Sequence, residues 1–69
     1  MKIIKEDKGI QLLENEGRYY LQYDAGAHMI KNKRIEITVD EAELCQYIEE
    51  EMYNSILRYQ NNGIYGDDV

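Results

Sequence analysis

Proline, tryptophan and phenylalanine are absent from these 69 residues, and cysteine and histidine occur once each. A lone Cys45 cannot form a disulfide within the chain, and with His28 as the only histidine no Cys and His cluster can hold zinc. One histidine with a carboxylate such as Asp24 would bind a metal only weakly, so neither metal nor cofactor is expected. No apolar run is long enough for a membrane span, and the opening MKIIKEDK lacks the apolar core of a signal peptide. With the single thiol, this predicts a cytoplasmic protein without a membrane partner. Glycines 9, 17, 26, 63 and 66 are dispersed, which excludes a phosphate-cradling loop. After Arg34 the only basic residue is Arg58, set against nine acids, whereas the part up to Arg34 holds seven bases and five acids.

The net charge is −6, which disfavours binding to duplex DNA or anionic membranes, since both require a basic footprint. A chain this short buries only about 60% of its unfolded surface, so help from a second copy is expected. Enzymatic readings have little support. Cys45 falls among apolar neighbours, where a thiol is held protonated, and there is little room for a pocket that would separate the pKa values of paired carboxylates.

The apolar positions have two periods. From residue 2 to 39 they recur every second residue, which sends them to one face of a sheet. Expected strands cover residues 2–5, 10–13, 18–23 and 34–39, with residues 27–31 as an optional fifth. Asp7, Lys8 and Gly9 form the first turn, and Asn15, Glu16 and Gly17 a three-residue hairpin loop. Asp24, Ala25 and Gly26 end the third strand, and Asn32 and Lys33 lead into the last. At Asp40 the period becomes 3.6. Asp40 is read as the N-cap, with Glu43 closing a capping box, of one long helix reaching Asn61. Leu44, Cys45, Ile48, Met52, Ser55, Ile56 and Tyr59 share one sector of that helix.

The expected fold is therefore α+β: an antiparallel meander of four to five strands with one long C-terminal helix across one face. It forms a single domain over residues 1–63, with 64–69 a flexible tail unless Ile64 and Tyr65 dock. The core would join Ile3, Ile10, Leu12, Tyr19, Leu21, Ile35, Ile37 and Val39 to Leu44, Ile48, Met52, Ile56 and Tyr59. Strands followed by a helix are broadly similar to homodimeric single-strand binders of the transcriptional-coactivator type, but none of their motifs is present.

Two surfaces are candidates for function. Tyr47, Tyr53 and Leu57 lie outside the core sector of the helix, with Ala42 and Gln46 nearby, and Glu50 stacks on Glu43. This predicts a protein interface for a second copy or a basic protein surface. Glu49, Glu50 and Glu51 are spread around the helix and read better as a solvated exterior than as a mimic of nucleic-acid phosphates. The alternative surface is the outer sheet face, where Arg18, Tyr20, Lys31, Lys33 and Arg34 would contact single-stranded nucleic acid. The favoured expectation is a small acidic, non-enzymatic interaction module, analogous in size and charge to phage or mobile-element regulators of the immunity or anti-defence type. Sequestration of a small ligand at a dimer seam is a third option.

Overall fold

A computed structural model of the chain describes residues 1–24 and 31–69. The optional strand at 27–31 falls almost wholly outside the described residues, as does His28. The order of elements is β1 (Lys2–Asp7), β2 (Ile10–Asn15), β3 (Arg18–Asp24), β4 (Asn32–Ile37), α1 (Val39–Tyr47), α2 (Glu51–Asn61) and β5 (Asp67–Asp68). All five strands form one antiparallel sheet in the order β1-β2-β3-β4-β5. The α+β reading holds, but the single long helix is two.

The two hairpins are tighter than expected. Lys8 and Gly9 have φ of 51° and 80°, and Glu16 and Gly17 have 53° and 81°. Two consecutive positive φ values make a two-residue type I′ turn, whose twist matches the strands it joins. Asn15 therefore pairs with Arg18 as part of the ladder and does not belong to the loop. Asn32 and Lys33 likewise belong to β4, paired with Asp24 and Tyr23. β4 ends at Ile37, so that Val39 opens α1 instead of closing a strand.

One sheet face carries the core. Ile10, Leu12, Leu21, Tyr23, Ile35 and Ile37 meet Ala42, Cys45, Met52 and Ile56, with Ile4, Tyr19 and Tyr59 packed around them. Four expected core residues, Ile3, Val39, Leu44 and Ile48, are instead exposed. In β1 the register slips between Ile3 and Lys5. This bulge puts Ile4 against the core and leaves Ile3 beside Leu13 on the outer face. Leu13 is itself buried on that outer face, next to Tyr20 in β3.

The helix break has a geometric cause. A helix over residues 40–61 would be about 33 Å long, more than the 31 Å longest extent of the whole molecule. Strands of this length span only about 20 Å. The chain turns at Ile48, which is extended (φ −107°, ψ 123°), so that both halves lie over the sheet. The N-cap is then Thr38 and not Asp40: its hydroxyl accepts from the Glu41 N–H while the Glu41 carboxylate accepts from the Thr38 N–H. Glu43 takes no part in this cap. The break also changes the helical phase, so Ala42, expected on an exposed flank, is buried while Leu44 and Ile48 face outward.

Residues 64–69, expected as a flexible tail, return along β4. Asp68 and Asp67 pair with Lys33 and Arg34, and the Val69 N–H donates to the Asn32 carbonyl at 3.2 Å. Ile64 and Tyr65 keep their side chains exposed, so the docking runs through the main chain. The Tyr23 hydroxyl donates to the Tyr65 carbonyl at 2.8 Å and accepts from the Gln60 amide at 3.0 Å, tying α2, β3 and the tail at one point.

Two outcomes test this description. Glu16→Asn places the preferred residue in a type I′ turn and is expected to raise the unfolding free energy by about 0.5–1 kcal/mol in urea titrations. At Gly66 (φ +92°) a Cβ would sit 2.7 Å from the Arg34 carbonyl oxygen. Gly66→Ala should therefore detach residues 64–69, seen as random-coil NMR shifts there, while the amides of β1 to β3 keep their positions.

Candidate protein-binding surface

The break divides the expected helical interface. Tyr47 ends α1 and shares a shallow depression with Asp40, Glu43 and Leu44. These four are spaced i, i+3, i+4 and i+7 and so form one stripe along the helix. Tyr47 is 79% exposed. Tyr53 and Leu57 lie one turn apart on α2, at 56% and 38% exposure. Glu50 sits in the break, with its carboxylate 4.0 Å from the Lys8 ammonium across the β1–β2 turn. Glu50 and Tyr53 come together in a groove of about 370 Å³ between that turn and the start of α2, and Tyr47 is not part of it. Sequence reasoning missed Leu44 and Ile48 as surface residues, because a continuous helix would have buried both.

Side-chain ties hold the two short helices in place. α1 has no base in its last turn, but the Lys5 ammonium of β1 donates to the Cys45 carbonyl at 2.9 Å. A cation from the sheet thus satisfies the negative end of the helix. Glu51 is buried and accepts from Arg58 at 3.0 Å, and Arg58 also donates to the Ser55 hydroxyl at 2.9 Å. Ser55 in turn lies 3.9 Å from the Cys45 sulfur. Burial pushes the Cys45 thiol up from its ordinary value, with the carboxylates of Glu51 and Glu41 adding to it against the Ser55 hydrogen bond. The thiol is a packed core group.

The Tyr59 hydroxyl donates to the Glu41 carboxylate, linking α2 to the cap of α1. Burial alone would raise the Glu41 carboxyl. Hydrogen bonds from the Thr38 backbone, Tyr59 and the Thr38 hydroxyl, with the Arg58 charge, outweigh it and hold the carboxyl below its ordinary value. Burial, then the Glu41 hydrogen bond and charge, push the Tyr59 phenol up to about 12.

The alternative surface does not assemble as one basic platform. Arg18 and Lys31 are exposed. The Lys31 N–H donates to the Asp24 carboxylate at 3.0 Å. Lys33 lies on the helix side of β4, opposite Tyr23, and is paired with Asp68 at 2.7 Å. Arg34 is on the outer face, donating twice to the Gln22 side-chain amide oxygen at 2.8 and 3.2 Å. Tyr20 is half-buried with Glu36 directly opposite. The depression beside Tyr20 and Arg34 also includes Glu36, Asp67 and Asp68, so carboxylates interrupt the basic groups.

Among the described residues no group of three or more His, Cys, Asp or Glu side chains is placed to hold a metal ion, and no helix is long and apolar enough to cross a membrane. No protein-family model, curated protein or solved structure matches the chain.

The Glu41–Tyr59 tie gives a pH signature. A carboxyl held low in the fold contributes stability above its unfolded value near 4.5, and that contribution is lost as pH falls through the lower folded value. A phenol raised from 10 to about 12 contributes stability below pH 10 that is lost as pH rises through about 12. In Tyr59→Phe the highest-titrating phenol should vanish from ultraviolet titrations, the Glu41 carboxyl should titrate higher by NMR, and stability at neutral pH should fall by about 1 kcal/mol.

Proposed function

We propose that this chain is a small, acidic, non-enzymatic module that binds a basic protein surface through its helical layer. One observation carries the reading: the two helices leave Leu44, Tyr47, Ile48, Tyr53 and Leu57 exposed among Asp40, Glu43, Glu49 and Glu50, while their opposite sides are packed on the sheet. Large apolar groups amid charges of one sign suit a partner that buries the former and neutralises the latter. A second copy docked by the same patch would set these carboxylates against their own symmetry mates, since a two-fold contact meets itself. A basic partner therefore fits better than the homodimer. Regulators or inhibitors of the immunity or anti-defence type, carried by phages and mobile elements, are a suitable class by analogy of size and charge alone.

Single-stranded nucleic-acid binding is the weaker reading. Of its five candidate contacts, Lys33 and Arg34 are engaged within the fold, and among those five Tyr20 is the one aromatic ring.

The test is affinity capture from the native host with mass spectrometry, comparing the wild type with Leu44→Ser/Tyr47→Ala. Both positions are exposed, so the variant should stay folded. The expected outcome is a basic protein that binds in a salt-sensitive way and loses about tenfold or more in affinity to the variant. Co-eluting oligonucleotide, or a partner indifferent to the variant, overturns the reading.

A further inference from the structure

Building on the protein-binding reading, we infer that the groove beside the helix break is an anchor site for one arginine side chain presented by the basic partner. Its floor is apolar, lined by the core residues Ile10 and Met52, 7% and 1% exposed. Its rim holds three carboxylates, Asp7, Glu49 and Glu50, against the single ammonium of Lys8. Asp7 and Glu49 have no ion pair or side-chain hydrogen bond among the described residues. The one rim pair, Lys8 with Glu50, is long at 4.0 Å, and both side chains are more than two-thirds exposed. Such a pair contributes little and can open at small cost.

This combination selects the ligand. An apolar floor accepts a methylene stem, and a carboxylate rim accepts a cationic head. Tyr53 lines the wall and offers an aromatic surface to a planar cation. A guanidinium fits these demands better than an ammonium. Its fork can address two carboxylates at once, it stacks on rings, and it sheds water more easily. A volume of about 370 Å³ exceeds what one side chain fills, leaving room for the partner's flanking backbone. The break creates the site: in a continuous helix, residues 49 and 50 would project around the cylinder and could not rim a depression beside the turn.

The experiment is an NMR titration of the full chain with N-acetyl-arginine methylamide, and with its citrulline counterpart, which has the same shape and no charge. The arginine compound should shift the amides of Lys8, Gly9, Ile10 and residues 50–54 with a dissociation constant on the order of millimolar, as expected for so small a ligand. The citrulline compound should bind at least about fivefold more weakly, and Glu49→Gln/Glu50→Gln should weaken the arginine compound by a similar factor. Both changed positions are exposed, so the amide spectrum elsewhere reports that the variant remains folded. Equal shifts with the two compounds, or shifts centred on Asp40 and Glu43 or on Asp67 and Asp68, overturn the inference. The two readings fail separately. A captured basic protein that binds Glu49→Gln/Glu50→Gln as tightly as the wild type removes the groove as its anchor while leaving the protein-binding surface. An arginine titration as expected, with no basic protein captured, supports the groove as a guanidinium site and removes the protein-binding reading.

Discussion

A sheet of six- and seven-residue strands can be covered by only about 20 Å of helix, and the helical layer is shaped by that limit. The residues after Thr38 have the composition of one continuous helix, with neither glycine nor proline before Gly63. A continuous rod would overhang the sheet by about two turns, leaving Ile56 and Tyr59, or else Ala42 and Cys45, without an apolar partner. Breaking at Ile48 gives up a few main-chain hydrogen bonds, each of net value about 1 kcal/mol. It recovers the burial of a whole turn of apolar side chains, worth about 1.5–3 kcal/mol each. The comparison favours the broken form. The break then exposes Tyr47 and Ile48 and opens the groove beside Lys8.

Two short helices need more fixing than one long one. Helices of nine and eleven residues are marginal by themselves, so their ends require partners, and the structure supplies those partners from distant elements. Lys5 of β1 occupies the last turn of α1, Thr38 and Glu41 close its first turn, and Tyr59 of α2 reaches back to Glu41. The half-buried Glu51–Arg58–Ser55 chain ends against Cys45 of the other helix. Polar groups that a sequence reading leaves as surface charge are in this way part of the joint between helices and sheet.

Periodicity shows which parts of this were legible beforehand. Alternation in β2, β3 and β4 identified Ile10, Leu12, Leu21, Ile35 and Ile37 correctly, because period two survives small errors in strand ends. It placed Ile3 on the wrong face, since a bulge adds one residue and leaves no compositional mark. On the helix, Met52, Ile56 and Tyr59 were placed correctly. Leu44, Ile48 and Ala42 were not, because their phase depends on a break set by sheet dimensions and not by local propensity. Of the four expected interface residues, Tyr53 and Glu50 come together with a groove that no sequence pattern indicates, and Tyr47 is separated from them. β5 was hidden for a related reason. Two aspartates have no strand propensity, and what holds them is the Lys33–Asp68 pair, the Tyr23 hydroxyl and the close approach that Gly66 permits.

The division of charge along the chain acquires a different meaning in three dimensions. It does not produce a basic sheet facing an acidic helix, because β5 returns Asp67 and Asp68 to the basic β4, and Glu36 lies across from Tyr20. Carboxylates thus interrupt the basic side, although Arg18 and Lys31 remain exposed. Of the acids after Arg34, Glu41 and Glu51 are engaged in structure. Asp40, Glu43 and Glu49 make no ion pair among the described residues, and Glu50 has only the long contact to Lys8. All four are exposed: Asp40 and Glu43 border Leu44 and Tyr47, and Glu49 and Glu50 border Tyr53. Solubility alone would be served by carboxylates placed anywhere, whereas Asp40 and Glu43 beside Leu44 and Tyr47, and Glu49 and Glu50 beside Tyr53, give each patch both the apolar contact and the charge that a basic partner would require.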